Sequence, residues 1–528
     1  MALQLREVTL DLDEDESVLS QKIANYLVRP VTEIHDVCVL RRGIDARKKP
    51  KIKRVYTIVF SLADEEAVLA SQISDQRLTQ YQTVSLPPLK SIEKSRRVLV
   101  VGMGPAGLFA ALRLSQQGVA VTLVERGDPV EDRVKKVNDF WVNGVFNSRS
   151  NVQFGEGGAG TFSDGKLTTR IKSPWNRLVL QSFVDCGAPD DILVEAKPHL
   201  GTDVLRRVLI NFRKSLQATG VEIHFQSCLT DLEILGGQVR AGVINDHQVV
   251  EADAVVLAPG HSSRETYAML EAASVELEQK PFAVGFRVEH PAGLINEIQY
   301  GMASHANLPA ADYALSYNDP ESGRGVYSFC MCPGGEVIAA PSEESGMVVN
   351  GMSSHNREQP WSNSALVASV GPADFEGSDA MAGVRFQQHW ERLAFTAGGS
   401  SYCAPAQNLL AFLGQGQGPI RSTCRPGVKE AELDHLLPPD IIAALRRGLP
   451  QFNRRMRGFV TGEAVLVGVE SRTSAPLRIL RNEQGESVSH AGLYPCGEGA
   501  GYAGGIMSAA LDGIKVAEKI VDKFTCGV

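Results

Sequence analysis

Residues 98–125 carry the residue types of a phosphate-binding turn between two strands. The apolar run 98–101 is followed by three glycines at the spacing of a nucleotide-binding turn: Gly102, Gly104 and Gly107. The first allows a tight turn, the second lets backbone N–H groups approach a pyrophosphate, and the third lets a helix pack closely on the strand. That helix begins at Pro105 and Ala106, and its positive N-terminal end faces the phosphates. The spacing predicts a dinucleotide site.

A second strand, predicted over 119–124, supports the same interpretation. It ends in Glu125, which Arg126 follows. The Glu125 carboxylate can accept hydrogen bonds from both hydroxyls of a ribose. A glycine-rich turn in an ordinary α/β domain is the alternative, but the strand, glycines, helix and acid all fall at workable spacing.

Three later segments favour FAD as the dinucleotide. Residues 155–160 are too glycine-rich for a core element, and the doublet Gly157-Gly158 suits close approach of the backbone to phosphate or a flavin edge. Residues 221–260 predict a strand, a hairpin and a second apolar strand. Residues 492–505 contain further glycine groups, and a helical pattern follows them.

These motifs resemble those of the glutathione-reductase-type FAD superfamily, in the branch with one nucleotide domain and an inserted substrate domain. More closely, the chain resembles the bacterial family of uncharacterised FAD-dependent dehydrogenases. It departs from the superfamily pattern at Pro259, where threonine is common, and this alters one turn. The resemblance covers nearly the whole chain and rests on residues 43–49, 154–167, 197–199, 329–335, 470–476 and 492–505.

The resemblance also implies which residues bind the cofactor. Glu125 is expected at the adenosine ribose, the Leu229 backbone at the adenine, and Glu498 at the ribityl or pyrophosphate region. N–H groups near Gly505 and Ile506 are expected at the pyrimidine side of the isoalloxazine ring. The full predicted set is Gly102, Gly104, Pro105, Ala106, Gly107, Glu125, Arg126, Gly157, Gly158, Leu229, Ala258, Gly260, Gly497, Glu498, Gly504, Gly505 and Ile506.

A helix N-terminus at the flavin N1 and O2 edge has a chemical consequence. It stabilises the negative charge that reduction places there. We therefore expect a flavin poised to accept a hydride. The alternative is FAD held only as a folding element, which makes less use of a positive helix end aimed at the ring.

Length and composition agree with an enzyme of this kind. A chain of 528 residues with 43% apolar content can build several hydrophobic cores. The net charge of −8 gives no general attraction to nucleic acid or anionic membranes. No apolar run approaches the ~18 residues that cross a bilayer. Nine cysteines, scattered without zinc or iron–sulfur spacing, predict no metal site and suit a reducing compartment, so we expect a cytoplasmic protein.

The predicted fold class is α/β, in three parts. A small N-terminal α+β module occupies 1–86. A Rossmann-type FAD-binding domain occupies 96–280 and resumes over 465–528, and an inserted α+β substrate domain occupies 281–457. No second nucleotide fingerprint is present. Any NAD(P)H would therefore dock transiently on the flavin face, or the electrons would come from another carrier.

Residues 41–54 form a basic stretch, with eight lysines and arginines and Asp45 as the only acid. One hypothesis is that these side chains bind RNA phosphates. The other is a solvated loop that meets the acidic run 11–16 or docks onto the FAD-binding domain.

Four polar residues are candidates for catalysis: Lys166, His199, Arg287 and Arg472. Lys166 can stabilise a negatively charged flavin or hold a water near N5, or it is an ordinary surface ammonium. His199 is a proton donor or a loop histidine. Arg287 lies on a strand whose one side can line a pocket. Arg472 anchors a carboxylate, phosphate or carbonyl, or it forms a salt bridge with Glu470 or another acid.

Cys330 and Cys332 flank Met331 in an apolar strand. Strand alternation places both sulfurs on one side, as a redox dithiol requires. The favoured alternative is two small buried hydrophobic residues, because a separation of two residues strains a disulfide. Cys496 lies in a flavin-facing motif and is expected to pack near the cofactor without acting as a nucleophile.

The sequence therefore predicts an FAD-dependent oxidoreductase that transfers a hydride to or from flavin N5. A small organic substrate is expected in a pocket between the FAD-binding and inserted domains. Two alternatives stay open at this point. One is a flavin-dependent RNA-modifying enzyme that uses the basic stretch, and the other is a non-enzymatic flavoprotein that senses redox state or passes electrons to a partner.

Overall fold

The computed structural model describes residues 2–71, 75–83, 85–92 and 96–526. The predicted N-terminal module also includes residues 1, 72–74 and 84, which lie outside the described residues. The first segment has these elements: β1 (Leu3–Asp11), α1 (Leu19–Leu27), β2 (His35–Asp45), β3 (Lys53–Ser61), α2 (Glu65–Ser71) and β4 (Leu78–Gln80).

The N-terminal strands form one antiparallel sheet in the order β2-β3-β1-β4. A bulge in β1 between Leu5 and Val8 shifts the alternation, so that Leu3, Leu5 and Leu10 are all buried in the core that includes Ile23 of α1. Strands β1 and β3 and the helix α1 between them agree with the α+β character predicted for this module.

The second segment alternates strands and helices in the following order: β5 (Arg97–Val101), α3 (Pro105–Gln116), β6 (Ala120–Val124), α4 (Val130–Asn143), α5 (Asn176–Asp185), α6 (Gly201–Ala218), β7 (Glu222–His224), β8 (Leu229–Leu235), β9 (Gln238–Ile244), β10 (Gln248–Glu251), β11 (Ala254–Leu257), α7 (Arg264–Ala272) and β12 (Leu277–Gln279). The predicted hairpin is confirmed between β8 and β9, as is the apolar strand β11.

The rest of the chain has more strands than helices: β13 (Phe282–Pro291), α8 (Ala292–Tyr300), β14 (Ser316–Asn318), β15 (Gly325–Cys332), β16 (Glu336–Ala339), β17 (Val349–Met352), β18 (Trp361–Val370), α9 (Ala382–Ala397), β19 (Ala404–Asn408), α10 (Leu409–Phe412), β20 (Val428–Glu430), α11 (Pro439–Arg455), β21 (Val465–Glu470), β22 (Leu477–Ile479), β23 (Leu493–Pro495) and α12 (Ile506–Cys526).

A five-stranded sheet, entirely parallel, has the order β23-β11-β5-β6-β7. Helices cover one face and the β8–β10 strands with α7 cover the other, so its strands are continuous apolar runs; Leu99 and Val100 are fully buried. From β5 the chain first adds β6 and β7 on one side and later β11 and β23 on the other. In parallel sheets a ligand crevice forms where the strand order reverses in this way.

Helices α3 and α12 pack together against this sheet. Their contact is close because Gly513 has no side chain: a Cβ there would lie 2.1 Å from the Ala106 carbonyl oxygen. The two helix N-termini are therefore held near the same end of the sheet.

The part of the chain between β11 and β23 forms a seven-stranded sheet. Its strand order is β14-β15-β18-β13-β21-β19-β20. Its central strand β13 pairs antiparallel with both β18 and β21. Strand β21 was predicted in the C-terminal part of the FAD-binding domain, but it pairs with β13 and β19 of this sheet. An apolar strand buried on both faces suits either sheet, and its pairing partner decides between them.

Smaller sheets complete the fold. The meander β8-β9-β10 covers one face of the parallel sheet, and β16 pairs with β17. The pair β12–β22 ties the second segment to the returning chain. Among the described residues, no helix combines the length and apolar character needed to span a bilayer.

The N-terminal sheet docks on the rest of the molecule through β2. The Arg42 N–H donates to Val194 O and the Ala196 N–H donates to Arg42 O, both at 2.7 Å. Leu12 and Ile52 extend into the core that includes Phe140. The contact combines backbone pairing with apolar burial, so the module is packed against the rest of the chain.

Candidate functional site

A cleft of about 360 Å³ lies at the carboxyl ends of the parallel strands, where the strand order reverses. One wall comes from residues that directly follow these strands: Gly102, Glu125, Ala258 and Cys496. The other wall comes from the seven-stranded sheet and the β16–β17 pair: Phe329, Cys330, Asn350 and Glu470. The cleft therefore lies between the two main sheets.

Close backbone packing forms the phosphate-binding turn. Gly102 has a φ of +97°, and a Cβ on it would lie 2.2 Å from Ala258 O. A Cβ on Gly107 would lie 1.9 Å from Gly102 O. Glycine is thus required at both positions. Gly102 needs the left-handed backbone conformation and the close contact with Ala258, whereas Gly107 needs only the close contact with Gly102. Gly104 lies against Gly158, which brings the 155–160 loop to the same turn.

Glu125 is buried and connects three loops of the cleft. One carboxylate oxygen accepts the Met103 N–H at 2.8 Å, and the other accepts those of Gly127 and Gly155 at 2.9 and 3.0 Å. Because a carboxylate has about four acceptor positions, it keeps capacity for a ribose hydroxyl. Its neighbour Arg126 lies over the Phe154 ring, with its guanidinium carbon 4.2 Å from the centroid.

Arg133, on α4, holds the glycine-rich loop from behind. Its side chain is fully buried and donates to carbonyl oxygens of Asn151, Val152 and Glu156 at 2.6–2.9 Å. Gly155 packs on the same side chain, where a Cβ would lie 2.4 Å from Cδ. A fixed fork of five N–H donors suits this task of binding several carbonyls at once.

The N-terminus of α12 opens into the cleft. Gly504, Gly505 and Ile506 line it, and a Cβ on either glycine would meet nothing within 4 Å. The helix runs for 21 residues, so its first turn presents unpaired N–H groups and a positive dipole end toward the cleft.

Glu498 lies on the cleft wall beside α12. Burial raises the pKa of its carboxyl to about 7, opposed by the nearby Lys280 ammonium and reinforced by Cys330. The carboxyl is thus about half protonated near neutral pH. Such a group can donate as well as accept a hydrogen bond.

Most of the predicted cofactor residues meet at this cleft. Gly107, Gly157 and Gly497 do not line it. Instead, they allow the loops to close behind it, because a Cβ at Gly157 or Gly497 would lie 2.3 Å from Leu209 or 2.7 Å from Ala106. The residues of the predicted set that line the cleft are Gly102, Gly104, Pro105, Ala106, Glu125, Arg126, Gly158, Leu229, Ala258, Gly260, Glu498, Gly504, Gly505 and Ile506.

Two of the four catalytic candidates line the cleft. The Lys166 ammonium contacts Met331 O and lies 4.0 Å from an Asp164 carboxylate oxygen. Arg472 is held by a two-point ion pair with Glu391 at 2.7 and 2.9 Å, and a further nitrogen donates to Ser262. The acid that pairs with Arg472 is therefore Glu391, and not its near neighbour in sequence.

Arg287 and His199 do not line the cleft. Arg287 is fully buried and binds both Glu470 oxygens at 2.9 and 3.0 Å, so it positions a carboxylate that does line it. The His199 ring donates from Nε2 to His355 O at 2.8 Å. Burial lowers the pKa of His199 to about 4, with a further decrease from Arg357, so the ring is neutral at pH 7.

Sequence reasoning missed a histidine and an ion-pair network on the cleft wall. His261 lines the cleft, and burial together with Arg472 and Arg264 lowers its pKa to about 4. Its position directly after the Ala258–Gly260 turn was a usable signal. Glu391 joins Arg264 to Arg472 in a buried network, with Arg264 also paired to Glu343. No sequence pattern connects α9 with these loops.

Comparison with known proteins identifies the family. Residues 281–473 match the family described as "FAD-dependent protein, C-terminal domain-like". Residues 95–135 match "FAD binding domain" and residues 2–61 a domain of unknown function. An uncharacterized protein of Clostridium beijerinckii is 45% identical over 532 residues, 99% of each chain. The chain belongs to the family of this clostridial protein. It is an FAD-dependent flavoprotein family, and the resemblance to FAD-dependent proteins is confirmed at that level.

Solved structures of flavin enzymes show a low likeness. Glycine oxidase from Bacillus cereus is 11% identical, with 81% of this chain and 96% of that chain covered and a TM-score of 0.35. CtdE in complex with FAD is also 11% identical, with 81% and 88% covered and a TM-score of 0.31. None of the matches named here mentions NAD(P)H, so the transient docking of a nicotinamide stays a prediction.

Proposed function

We propose that this protein is an oxidoreductase in which a hydride passes between flavin N5 and a small organic substrate. The observation that carries the proposal is the cleft at the carboxyl edge of the parallel sheet, which is lined by glycines of the turn, the α12 N-terminus and polar residues of the second sheet. FAD, when bound, supplies a ring that accepts or donates two electrons.

The residues present fit an FAD molecule. Gly102 allows the tight turn against Ala258, and a Cβ on Gly104 would meet Gly158 Cα only at 3.9 Å, which leaves room for a pyrophosphate. The open space at Gly505 lets a planar ring approach the helix end. Glu125 would hold the adenosine ribose. The N–H groups at Ile506 would stabilise negative charge on the pyrimidine side of the ring.

The second wall would bind the substrate. We interpret the seven-stranded sheet as the inserted substrate domain, with Phe329, Asn350 and Thr473 in contact with the substrate. Lys166 supplies a cation whose nearest carboxylate oxygen, on Asp164, is 4.0 Å away. Because Arg472 is already paired with a buried carboxylate, it shapes the wall and Lys166 is the cation available to a substrate.

The experiment uses the full-length protein and two matched lysine variants. We expect the purified protein to carry FAD and to reduce an artificial electron acceptor when supplied with fractions of a small-metabolite extract. Lys166→Met should retain FAD and lose at least ten-fold in turnover. Lys172→Met, which removes an exposed ammonium outside the cleft, should match wild type.

Two results would contradict the proposal. A protein that fails to bind FAD even after its addition would refute the cofactor assignment. Turnover unaffected by Lys166→Met would refute the substrate wall. Rapid flavin reduction without turnover of any metabolite fraction would favour the electron-transfer or redox-sensing alternative.

The RNA-modifying alternative stays a prediction. Within residues 41–54, Arg42 pairs with Glu195 and Glu16, and the Arg54 guanidinium contacts Glu14 O. Lys48 and Lys51 are exposed. A salt-sensitive shift of transfer RNA that is lost in the variant carrying both Lys48→Glu and Lys51→Glu would revive this alternative.

A further inference from the structure

Strand β15 carries an irregularity next to the cleft. Its regular pairing with β18 is interrupted between Phe329 and Cys332. Inside the interruption Cys330 adopts a φ of +43°, a left-handed conformation that is unfavourable for a non-glycine residue. Strained backbone of this kind persists where the surrounding structure enforces it, and it concentrates at functional sites.

The irregularity brings two thiols together at the cleft. Cys330 lines the cleft, whereas Cys332 is fully buried behind it. The Cys332 thiol donates to Cys330 O, with its sulfur 3.4 Å from that oxygen, and the two side chains are close enough for a thiol–thiol hydrogen bond. In a regular strand, residues two apart are more widely separated, so the bulge is what makes this contact possible.

Positive charge surrounds the outer thiol. Arg287 Nη1 lies 3.2 Å from Cys330 O, and the Lys166 ammonium contacts the carbonyl of the next residue. The hydrogen bond from Cys332 and these two cations lower the pKa of the Cys330 thiol, against burial and Glu470. The same hydrogen bond, together with burial, raises the pKa of Cys332. One sulfur is thus favoured as thiolate and the other as thiol.

The pKa of Cys496, which also lines the cleft, is shifted in the opposite direction from that of Cys330. Cys496 is fully buried, and burial together with Asp512 raises its pKa well above the usual value. Burial therefore does not explain the lowered pKa of Cys330. The decrease comes from the Cys332 thiol and from Arg287 and Lys166. A thiolate of this kind is the reactive form of cysteine.

We propose that Cys330 and Cys332 form a dithiol–disulfide pair that exchanges two electrons with the FAD bound in the same cleft. On oxidation, the Cys330 and Cys332 sulfurs form one S–S bond. The Cys332 thiol releases its proton, and two electrons pass from the sulfurs to the oxidised flavin. The reverse step uses two electrons from the reduced flavin and one proton to regenerate the thiolate and thiol. The inference rests on the proposed FAD-dependent function.

The first test reads the disulfide directly and does not need the flavin. Trypsin releases residues 325–357 as one peptide, because Arg324 and Arg357 bound it and no lysine or arginine lies between. Cys330 and Cys332 are its only cysteines. After mild oxidation and alkylation of the full-length protein, this peptide should be two hydrogen atoms lighter and carry no alkyl group. Reduction before alkylation should restore two alkylated thiols.

The second test counts electrons in the holoprotein. Anaerobic titration with dithionite should consume four electrons per FAD in the oxidised wild type, two for the flavin and two for the disulfide. Cys330→Ser and Cys332→Ala should each consume two. The control Cys228→Ser removes a cleft thiol next to Arg126 and should still consume four.

The outcomes separate this inference from the proposed function. If the wild type binds FAD, consumes only two electrons and keeps both thiols alkylatable after oxidation, the dithiol inference is overturned and the proposed function stands. If the protein binds no FAD, the proposed function fails, and the electron exchange proposed for the pair fails with it whatever the peptide shows. A four-electron uptake that persists in Cys330→Ser would also overturn the assignment to this pair.

Discussion

Single residues decide whether the cleft can hold a dinucleotide. Its turn depends on two positions where no side chain fits, Gly102 and Gly107, and its loops depend on one carboxylate, Glu125, that accepts three N–H groups. Gly102 and Gly107 tolerate no larger residue without a backbone shift. A Cβ on Gly107, for example, would lie 1.9 Å from the Gly102 carbonyl oxygen, so one of the two backbones would have to move.

The helical glycines provide a matched test of this close packing. Gly107→Ala should lower the free energy of unfolding by about 1–3 kcal/mol, as overpacking does, and reduce FAD occupancy. Gly293→Ala, in α8, meets nothing within 4 Å and should instead be neutral or stabilising by up to ~1 kcal/mol. Denaturant unfolding and flavin absorbance measure both effects. Equal behaviour of the two variants would contradict the contact with Gly102.

Glu498 makes the stability of the FAD-free protein depend on pH. Its folded pKa of about 7 exceeds the usual 4.5, so the folded state binds more protons between these values. The contribution of Glu498 to the free energy of unfolding is therefore highest below pH 4.5, and it falls by roughly 3 kcal/mol as pH rises through 7. Glu156, whose pKa burial also raises to about 7, contributes in the same direction.

Glu498→Gln should flatten this dependence. The decrease in thermal midpoint of the apoprotein between pH 5 and pH 8 should shrink by about half, because the contribution of Glu156 remains. The exposed control Glu483→Gln should retain the full decrease. An unchanged profile in Glu498→Gln would show that Glu498 titrates near its usual pKa.

For single residues, the sequence predicted those roles that depend on near neighbours in the chain. Gly102 and Glu125 follow strands at a spacing that backbone geometry requires, so they could be predicted. The partner of Arg472 could not, because Glu391 reaches it from a helix 81 residues earlier. Likewise, the proximity of Cys330 and Cys332 depends on a bulge that strand periodicity does not encode.

Elements bring these residues to one place through their packing. The apolar runs β5 and β11 could be predicted because strands of a covered parallel sheet contain few polar residues. The sheet to which a strand belongs was harder to predict, as β21 shows, since a buried apolar strand has no polar face to indicate its partner. The glycine-rich 155–160 loop was recognised, but its support by α4 was not.

Arg133 tests the support that α4 gives to this loop. Arg133→Met should lower stability by about 3 kcal/mol or more, because it leaves several buried carbonyls without donors, and it should weaken FAD binding. Arg133→Lys should restore little, as one ammonium cannot reproduce the fork. The exposed Arg149→Met, on the neighbouring turn, should bind FAD like wild type. Titration of the apoprotein with FAD measures the difference; normal affinity in Arg133→Met would contradict the role of α4.

Three large sheets dominate the described molecule, and the cleft lies between the parallel sheet and the seven-stranded sheet. The N-terminal sheet is far from the cleft in sequence but is docked through Arg42, whose guanidinium pairs with Glu195 and Glu16. Composition predicted an acidic chain, and the sequence left two hypotheses for the basic stretch, RNA binding or a loop that meets the acidic run 11–16 or docks onto the FAD-binding domain. Arg42 pairs with Glu16 of that run and with Glu195, whereas Lys48 and Lys51 are exposed, and RNA binding stays a prediction.

Arg42→Ala tests this docking. The backbone bonds of Arg42 and Ala196 remain, while two partly exposed ion pairs are lost, so the contact should weaken by about 1 kcal/mol. Amide hydrogen exchange at Ala196 should accelerate by about five-fold for that difference. Lys48→Ala, which removes an exposed side chain of the same stretch, should leave the exchange unchanged. Unchanged exchange in Arg42→Ala would show that apolar burial alone holds the module.

The order of strands in the parallel sheet also governs when the protein can acquire its cofactor. Strands β5, β6, β7 and β11 leave the ribosome early, but β23 and the first turn of α12 follow only after the seven-stranded sheet has been synthesised. The nascent chain therefore has only part of the FAD-binding site during most of its translation. Capture of FAD is a late event in biogenesis, and a ribosome stalled within α9 would expose a flavin-free intermediate with an unpaired edge at β11.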